Sequence, residues 1–101
     1  MSFIQLIDYE TDRASDIDNA MRSAMSSNLS DEQATPGFLR LEHTQDHDNP
    51  RHFTTIVEFA SYDEAMANSV KPETDEMARQ LASMCTSGPT YRNLDVRMSM
   101  P

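Results

Sequence analysis

Several residue types are scarce in this sequence, which has no tryptophan, two glycines and a single cysteine, Cys85. One cysteine excludes an internal disulfide and is typical of a reducing compartment. Basic residues are also few, because 8 Lys and Arg stand against 17 Asp and Glu and give a net charge of −9. Such a charge disfavours contacts with nucleic-acid phosphates and with anionic lipid. We therefore expect no nucleic-acid and no membrane partner.

Long apolar runs are missing as well. The first eight residues lack a positively charged segment, and their apolar part is too short and too interrupted for a signal peptide or a membrane span. We expect a cytoplasmic protein. The 101 residues predict one domain, 1–101, and an apolar content of 38% predicts a thin core, which favours oligomerisation.

The most informative stretch is a predicted β-hairpin. Its two segments, Phe38–Asp46 and His52–Phe59, are rich in aromatic and β-branched residues, and residues 47–51 between them are turn formers. Placing Asp46 opposite His52 sets the register of the hairpin.

This register sorts the side chains of the hairpin onto two faces. The face predicted to meet the helices carries Leu39, Leu41, His43, Thr55, Val57 and Phe59. The other face carries Phe38, Arg40, Glu42, Thr44, Thr54, Ile56 and Glu58, with Arg40 opposite Glu58. It is too mixed for a core and too apolar for plain surface, so we expect it to pair with a second sheet.

The segments before the hairpin predict a strand and a helix. Phe3–Tyr9 is almost continuously apolar, as in a central strand. From Ala14 to near Leu29 the apolar spacing is helical, and Ser15 and Asp18 are placed like a helix cap and its reciprocal acid. Residues 30–37 read as a loop.

After the hairpin, a capping box at Ser61–Glu64 starts a second helix, which Pro72 interrupts. A helical piece follows over Glu73–Cys85, residues 86–89 end it, and Tyr91–Met98 alternates as a last strand. The order β-α-β-β-α-β predicts a ferredoxin-like α+β fold, a four-stranded antiparallel sheet with both helices on one face.

Three segments in this order carry a family resemblance: Phe3–Ile7, Thr35–Leu39 entering a strand after Pro-Gly, and Val57–Ala65 passing from strand to capped helix. Together they resemble the antibiotic biosynthesis monooxygenase domain family. The resemblance implies a dimeric α/β barrel made by two facing sheets, with a small pocket between sheet and helices. It also implies oxygenase chemistry without a cofactor on polycyclic phenols, or haem degradation in another branch.

Two departures from the family narrow the expected chemistry. Where oxygenase members often carry a tryptophan after the third strand, this chain has Ala60, and the haem-ligating histidine of the second helix is absent between Tyr62 and Cys85. We expect no cofactor and no metal. His43, His47 and His52 match no established spacing of metal ligands.

The candidate site residues are few. His43, on the helix-facing side, is the candidate general base for a phenol or enol, and a satisfied core histidine is the alternative. The candidate ligand-binding residues are Thr55, Tyr62, Asn68, Glu73 and Tyr91. Their alternatives are local capping around Pro72 for Asn68 and Glu73, and simple packing for the tyrosines.

These residues support more than one function. The first is a cofactor-independent monooxygenase acting on a small aromatic or polyketide-like substrate. The second is a non-catalytic homodimeric module that binds a small apolar or aromatic ligand or serves in assembly. An isomerase or cyclase would use the same base without oxygen.

Overall fold

The computed structural model describes residues 2–28 and 35–101. The elements are β1 (Phe3–Glu10), α1 (Ala14–Asn28), β2 (Phe38–Gln45), β3 (His52–Phe59), α2 (Tyr62–Ser69), α3 (Pro72–Ser83) and β4 (Ser87–Asp95). This order confirms the ferredoxin-like α+β prediction, with the second helical segment split at Pro72. The predicted end of α1 near Leu29 and the first part of the predicted loop, residues 30–34, lie outside the described residues.

The four strands form one antiparallel sheet in the order β2-β3-β1-β4. The predicted hairpin register is confirmed, because Arg40 pairs with Glu58 and His43 with Thr55, and the Asp46 amide donates to the His52 carbonyl at 2.8 Å. Alternation along β2 and β3 therefore determines which side chains meet the helices.

The start of β2 departs from that alternation. The register shifts between Phe38 and Arg40, so that Phe38 pairs with Phe59 and Leu39 is the additional residue of a bulge. The prediction for these two residues was wrong: Phe38 packs edge-on against Phe59 in the core at 6.0 Å, whereas Leu39 is exposed. Because of the extra residue, Phe38 is on the opposite face of the sheet from the one that strict alternation predicts.

The helices cover one face of the sheet with two separate hydrophobic clusters. The first joins β1 and β3 to α1 and α3 through Tyr9, Ile17, Met21, Phe53, Leu81 and Met84. The second joins β1 and β3 to α2 through Phe3, Phe59 and Ala65. No buried residue is shared between the two clusters among the described residues.

The start of α2 confirms only half of the predicted capping box. The Ser61 hydroxyl accepts from the Glu64 amide at 3.2 Å. The Glu64 carboxylate instead packs over Gly37, which has φ +79°, and a Cβ at Gly37 would overlap it. Gly37 is thus required both by its backbone conformation and by this close approach.

The last strand begins earlier than predicted and ends earlier. β4 spans Ser87–Asp95 rather than Tyr91–Met98, and Gly88–Pro89, predicted as a stop, lies inside it with a cis peptide bond. Since β4 is an edge strand, the missing amide of Pro89 need not interrupt a ladder on its outer side. Beyond β4 the Val96 amide still donates to the Ser2 carbonyl at 3.0 Å.

In the described part of the chain, none of the helices combines the length and the apolar character needed to cross a membrane.

Ile17 provides a test of this core. Its side chain is fully buried at 0% exposure, so Ile17→Ala should lower the free energy of unfolding by about 2–5 kcal/mol in urea denaturation. Val70→Ala, at a position that is 81% exposed, is the matched control and should change it by less than about 0.5 kcal/mol at equal protein concentration. Equal effects of the two substitutions would contradict the packing described.

Candidate functional site

His43 lies on β2 with its side chain only 14% exposed. Its ring stacks on Phe53 with centroids 5.3 Å apart and planes 8° from parallel. Phe53 belongs to the first hydrophobic cluster and is 4% exposed, so the imidazole rests on a rigid apolar support. The predicted helix-facing orientation of His43 agrees with this packing.

Both ring nitrogens of His43 have partners. Nε2 lies 2.8 Å from Asp18 Oδ1 on α1, and Nδ1 lies 3.3 Å from the Tyr9 hydroxyl on β1. The Tyr9 hydroxyl in turn lies 3.2 Å from Thr55 Oγ1. We call these four side chains the hydrogen-bonded chain: Asp18, His43, Tyr9 and Thr55.

The chemistry of the partners assigns a direction to the hydrogen-bonded chain. A carboxylate only accepts, so the Nε2–H of His43 donates to Asp18, and in the neutral imidazole Nδ1 is then an acceptor. The Tyr9 hydroxyl donates to that Nδ1 and can accept from the Thr55 hydroxyl. The unshared electron pair of the imidazole is therefore directed at Tyr9.

Tyr9 is suited to the donor role. Tyr9 is 2% exposed, and this burial raises the pKa of its hydroxyl. The hydrogen bond with Thr55 lowers the pKa, whereas the nearby Cys85 and Asp18 raise it further, and the net shift is upward. The phenol therefore stays protonated well above neutral pH. One end of the hydrogen-bonded chain is sealed, since Thr55 is 1% exposed, while the Asp18 side chain at the other end is 47% exposed.

Between the two hydrophobic clusters, the helix-facing side of the sheet carries polar groups. The cross-strand pairs place His43, Thr55, Ile7 and Tyr91 in one row across the sheet. In the next row the Gln5 amide donates to Asn93 Oδ1 at 3.1 Å in an exposed hydrogen bond. We call these two rows, which include Leu41 and Val57, the central strip. The central strip is thus a mixed polar and apolar surface beside the half-buried His43, with Ile7 packed against the first cluster and Val57 against the second.

The predicted ligand-binding residues are only partly brought together. Thr55 joins His43 through Tyr9, and Tyr91 lies in the same row but three strands away, about 14 Å at a strand spacing of about 4.8 Å. Burial raises the pKa of the Tyr91 hydroxyl, as does Cys85.

The remaining candidates occupy other surroundings. Tyr62 is 52% exposed and packs edge-on against Phe3 of the second cluster at 5.4 Å. Asn68 Oδ1 accepts from the Thr74 hydroxyl at 3.4 Å, and Glu73 lies exposed in the first turn of α3. Their part in ligand binding stays a prediction.

The sequence does not predict the roles of two members of the hydrogen-bonded chain. Its spacing predicts Asp18 as the reciprocal acid of a helix cap, but α1 already begins at Ala14 and the Asp18 carboxylate bonds His43 across the fold. The apolar pattern predicts Tyr9 only as the end of a strand. Its signal was present in the alternation, because Tyr9 shares a face with Phe3 and so points towards the helices.

The other histidines and the cysteine are not part of this site. His52 Nε2 lies 3.2 Å from Asp8 Oδ1, an aspartate that also accepts from the Thr54 hydroxyl at 2.6 Å. Burial raises the pKa of the Cys85 thiol, which donates to the Leu81 carbonyl at 3.1 Å. Within residues 2–28 and 35–101, no group of three or more His, Cys, Asp or Glu side chains is placed to hold a metal ion.

A shallow groove of about 320 Å³ lies between α1 and α3, away from the central strip. It is lined by Arg13, Asp16, Asn19, Ala20, Ser23, Gln80 and Met84. The two charged residues of the groove, Asp16 and Arg13, form an ion pair with each other at 2.9 Å. This groove lies between two helices, whereas the pocket that the family resemblance implies lies between sheet and helices.

Comparison of the fold with solved structures gives consistent results. SnoaB from Streptomyces nogalater, a cofactor-independent oxygenase, superposes with a TM-score of 0.81 over 99% of this chain and 97% of its own, at 14% identity. A protein provisionally named an antibiotic biosynthesis monooxygenase, from Nitrosomonas europaea, gives 0.80 over 95% and 90% at 13% identity. A conserved protein from Methanosarcina mazei Go1 gives 0.79 over 93% and 91% at 12% identity.

These likenesses confirm the fold of the resembled family. Identities of 11 to 14% in such superpositions establish the arrangement of the chain and leave the chemistry to be argued from its own residues. No family profile matches the sequence, and no curated protein matches it.

The raised pKa of Tyr9 predicts a loss of stability in alkali. An unfolded tyrosine ionises near pH 10, whereas folded Tyr9 ionises later, so its contribution is fully present below about pH 10 and is lost as pH rises through the folded pKa. Tyr9→Phe should cost about 1 kcal/mol at pH 8 through the lost hydrogen bonds. It should then lose less stability than the parent between pH 8 and 11 in urea denaturation. Parallel pH dependences would contradict the burial of this hydroxyl.

Proposed function

We propose that this protein is a homodimeric oxygenase that needs no cofactor and acts on a small aromatic or polyketide-like substrate. The observation that carries the proposal is a half-buried imidazole whose Nε2 lies 2.8 Å from Asp18 Oδ1 and whose Nδ1 lies 3.3 Å from the Tyr9 hydroxyl. With Nε2–H donated to the carboxylate, Nδ1 is the nitrogen that can accept a proton as a general base. The fold shared with SnoaB, a cofactor-independent oxygenase, supports the same class of reaction.

The proposed reaction converts an activated methylene into a carbonyl. His43 takes one proton from an anthrone-like CH₂, and the electron pair of the broken C–H bond stays on the substrate as a delocalised carbanion. The carbanion gives its electrons to O₂ and forms a C–O bond, and the resulting peroxide regains a proton. Loss of water then leaves C=O, so that CH₂ and O₂ become C=O and H₂O, with the substrate as reductant.

The central strip supplies the surroundings for such a substrate. Leu41 is a half-buried apolar residue of the strip, and the amides of Gln5 and Asn93, which already bond each other at 3.1 Å, have further hydrogen-bonding groups for phenolic oxygens. Acidic residues dominate the chain as a whole, which suits a neutral substrate better than a polyanionic one. From the single cysteine, a cytoplasmic location stays our expectation.

Oxygen uptake with a panel of anthrones and hydroquinones tests the catalytic proposal. His43→Gln should lower the substrate-dependent rate about 100-fold or more, because the amide cannot accept the proton. His47→Gln is the matched control, since His47 lies exposed in the turn between β2 and β3, and should leave the rate within about twofold. Uptake that is insensitive to His43→Gln would refute the assigned base.

A second candidate function is a non-catalytic module that binds a small apolar or aromatic ligand. The observation in its favour is that both nitrogens of His43 already have partners, so that a substrate must displace one of them. Stabilisation by aromatic ligands in a thermal-shift assay, without any oxygen uptake, would favour binding over catalysis.

The sheet face opposite the helices supports the proposed homodimer. Cross-strand pairing places Ile4, Leu6, Ile56 and Leu94 on this face, which no described helix covers. The hydrogen bond from Arg40 to Glu58, at 2.8 Å, lowers the pKa of that carboxyl, so the pair stays charged beside the apolar residues. A face with both charge signs and an apolar centre can pair with itself across a two-fold axis.

Light scattering coupled to gel filtration tests the dimer. The parent should have about twice the chain mass of 11.5 kDa at micromolar concentration. Ile56→Asp should shift the species towards the monomer, because it places an unpaired charge in the proposed interface. Val70→Asp, at the C-cap of α2 where the side chain is 81% exposed, is the control and should stay dimeric. A monomeric parent would refute the proposal.

A further inference from the structure

Asp18 occupies an unusual place on α1. The preceding residue, Ile17, is fully buried, while the Asp18 side chain is 47% exposed and directs Oδ1 to His43 Nε2 at 2.8 Å. The neighbouring acid Asp16 pairs instead with Arg13 at 2.9 Å. Two aspartates of α1 that are two residues apart thus have different partners: Asp18 contacts His43, and Asp16 pairs with the exposed Arg13.

We propose that Asp18 is the positioning residue of His43 and determines which of its nitrogens accepts the substrate proton. This inference rests on the proposed oxygenase function. By accepting the Nε2–H, the Asp18 carboxylate leaves the electron pair on Nδ1, beside the Tyr9 hydroxyl. The substrate proton is therefore delivered to Nδ1.

Access of the substrate to Nδ1 requires Tyr9 to move, because the Tyr9 hydroxyl lies 3.3 Å from Nδ1 and the Tyr9 side chain is 2% exposed. This contact is longer than the 2.8 Å contact at Nε2. When an acidic C–H or O–H group takes the place of Tyr9 at Nδ1, the Tyr9 hydroxyl can keep its partner Thr55 Oγ1, 3.2 Å away in this structure.

Asp18 also acts on the proton-transfer step itself. When Nδ1 takes the proton, an N–H bond forms, the bond from hydrogen to the substrate breaks, and its electron pair stays on the substrate. The imidazolium that results lies against the Asp18 carboxylate, which stabilises the charge. Asp18 touches neither the substrate nor the migrating proton, so its effect should appear in kcat more than in KM.

The test compares Asp18→Asn with Asp16→Asn, two substitutions that remove the same charge from the same helix. Asp18→Asn should lower kcat for oxygen uptake about 100-fold or more and leave KM within about threefold, because an amide can donate to Nε2 and so favour the wrong tautomer. Asp16→Asn should leave both constants within about twofold. An Asp18→Asn variant that keeps the parent kcat overturns the proposal.

A measurement without substrate separates this inference from the oxygenase proposal. In ¹⁵N spectra of histidine-labelled protein at pH 8, His43 of the parent should be protonated at Nε2 and unprotonated at Nδ1, and Asp18→Asn should shift the population towards Nδ1–H. If that result appears without oxygen uptake on any substrate, the oxygenase proposal fails and the positioning by Asp18 stands. A parent His43 protonated at Nδ1 overturns the inference, even where Asp18→Asn does not fold.

Discussion

The stacking of His43 and Tyr9 on Phe53 is the contact on which the rest of the structure depends. The Phe53 ring lies 5.3 Å from the His43 ring and 5.9 Å from that of Tyr9, nearly parallel to both. Phe53 also packs against α1 and α3 in the first hydrophobic cluster. Folding of the core therefore fixes the two rings of the candidate site, which stand on strands rather than on loops.

The position of this imidazole determines which side chains can meet its two nitrogens. Since the ring plane is set by Phe53, Asp18 on the covering helix and Tyr9 on the central strand can each meet one of its nitrogens. The second hydrophobic cluster holds α2 at the far end of the sheet and leaves the central strip between the clusters. On the opposite face, Arg40 and Glu58 flank the apolar residues through which we propose that two copies pair.

Strand alternation made much of the fold predictable from the sequence. Turn chemistry indicated a hairpin, and the choice of Asp46 opposite His52 as its register placed His43 and Thr55 together on the helix-facing side, as the structure confirms. Alternation gave the wrong faces for Phe38 and Leu39. The bulge adds one residue to β2, and nothing in the residue types of this segment marks it. A register shift between Asp8 and Glu10 likewise accompanies the early start of β4.

The candidate site was less accessible to sequence reasoning. Asp18 has the same spacing whether it caps a helix or reaches a residue 25 positions away, and only the packing of α1 decides between the two. The sequence pattern did not indicate a hydrogen-bond partner for Tyr9. A strand tyrosine occupies the same inward-facing positions whether its hydroxyl only packs or also forms hydrogen bonds. Tyr62 and Glu73 were candidate ligand-binding residues because of their residue types. In the structure Tyr62 packs on Phe3 and Glu73 lies in the first turn of α3, outside the hydrogen-bonded chain.

A crystal structure with a bound anthraquinone, the product class of the proposed reaction, tests the central claim most directly. The account predicts that the ligand lies on the central strip, with a carbonyl oxygen accepting from the Tyr9 hydroxyl at about 3.2 Å or less and with the contact from Nε2 to Asp18 unchanged. A ligand in the groove between α1 and α3, with the hydrogen-bonded chain untouched, would contradict it.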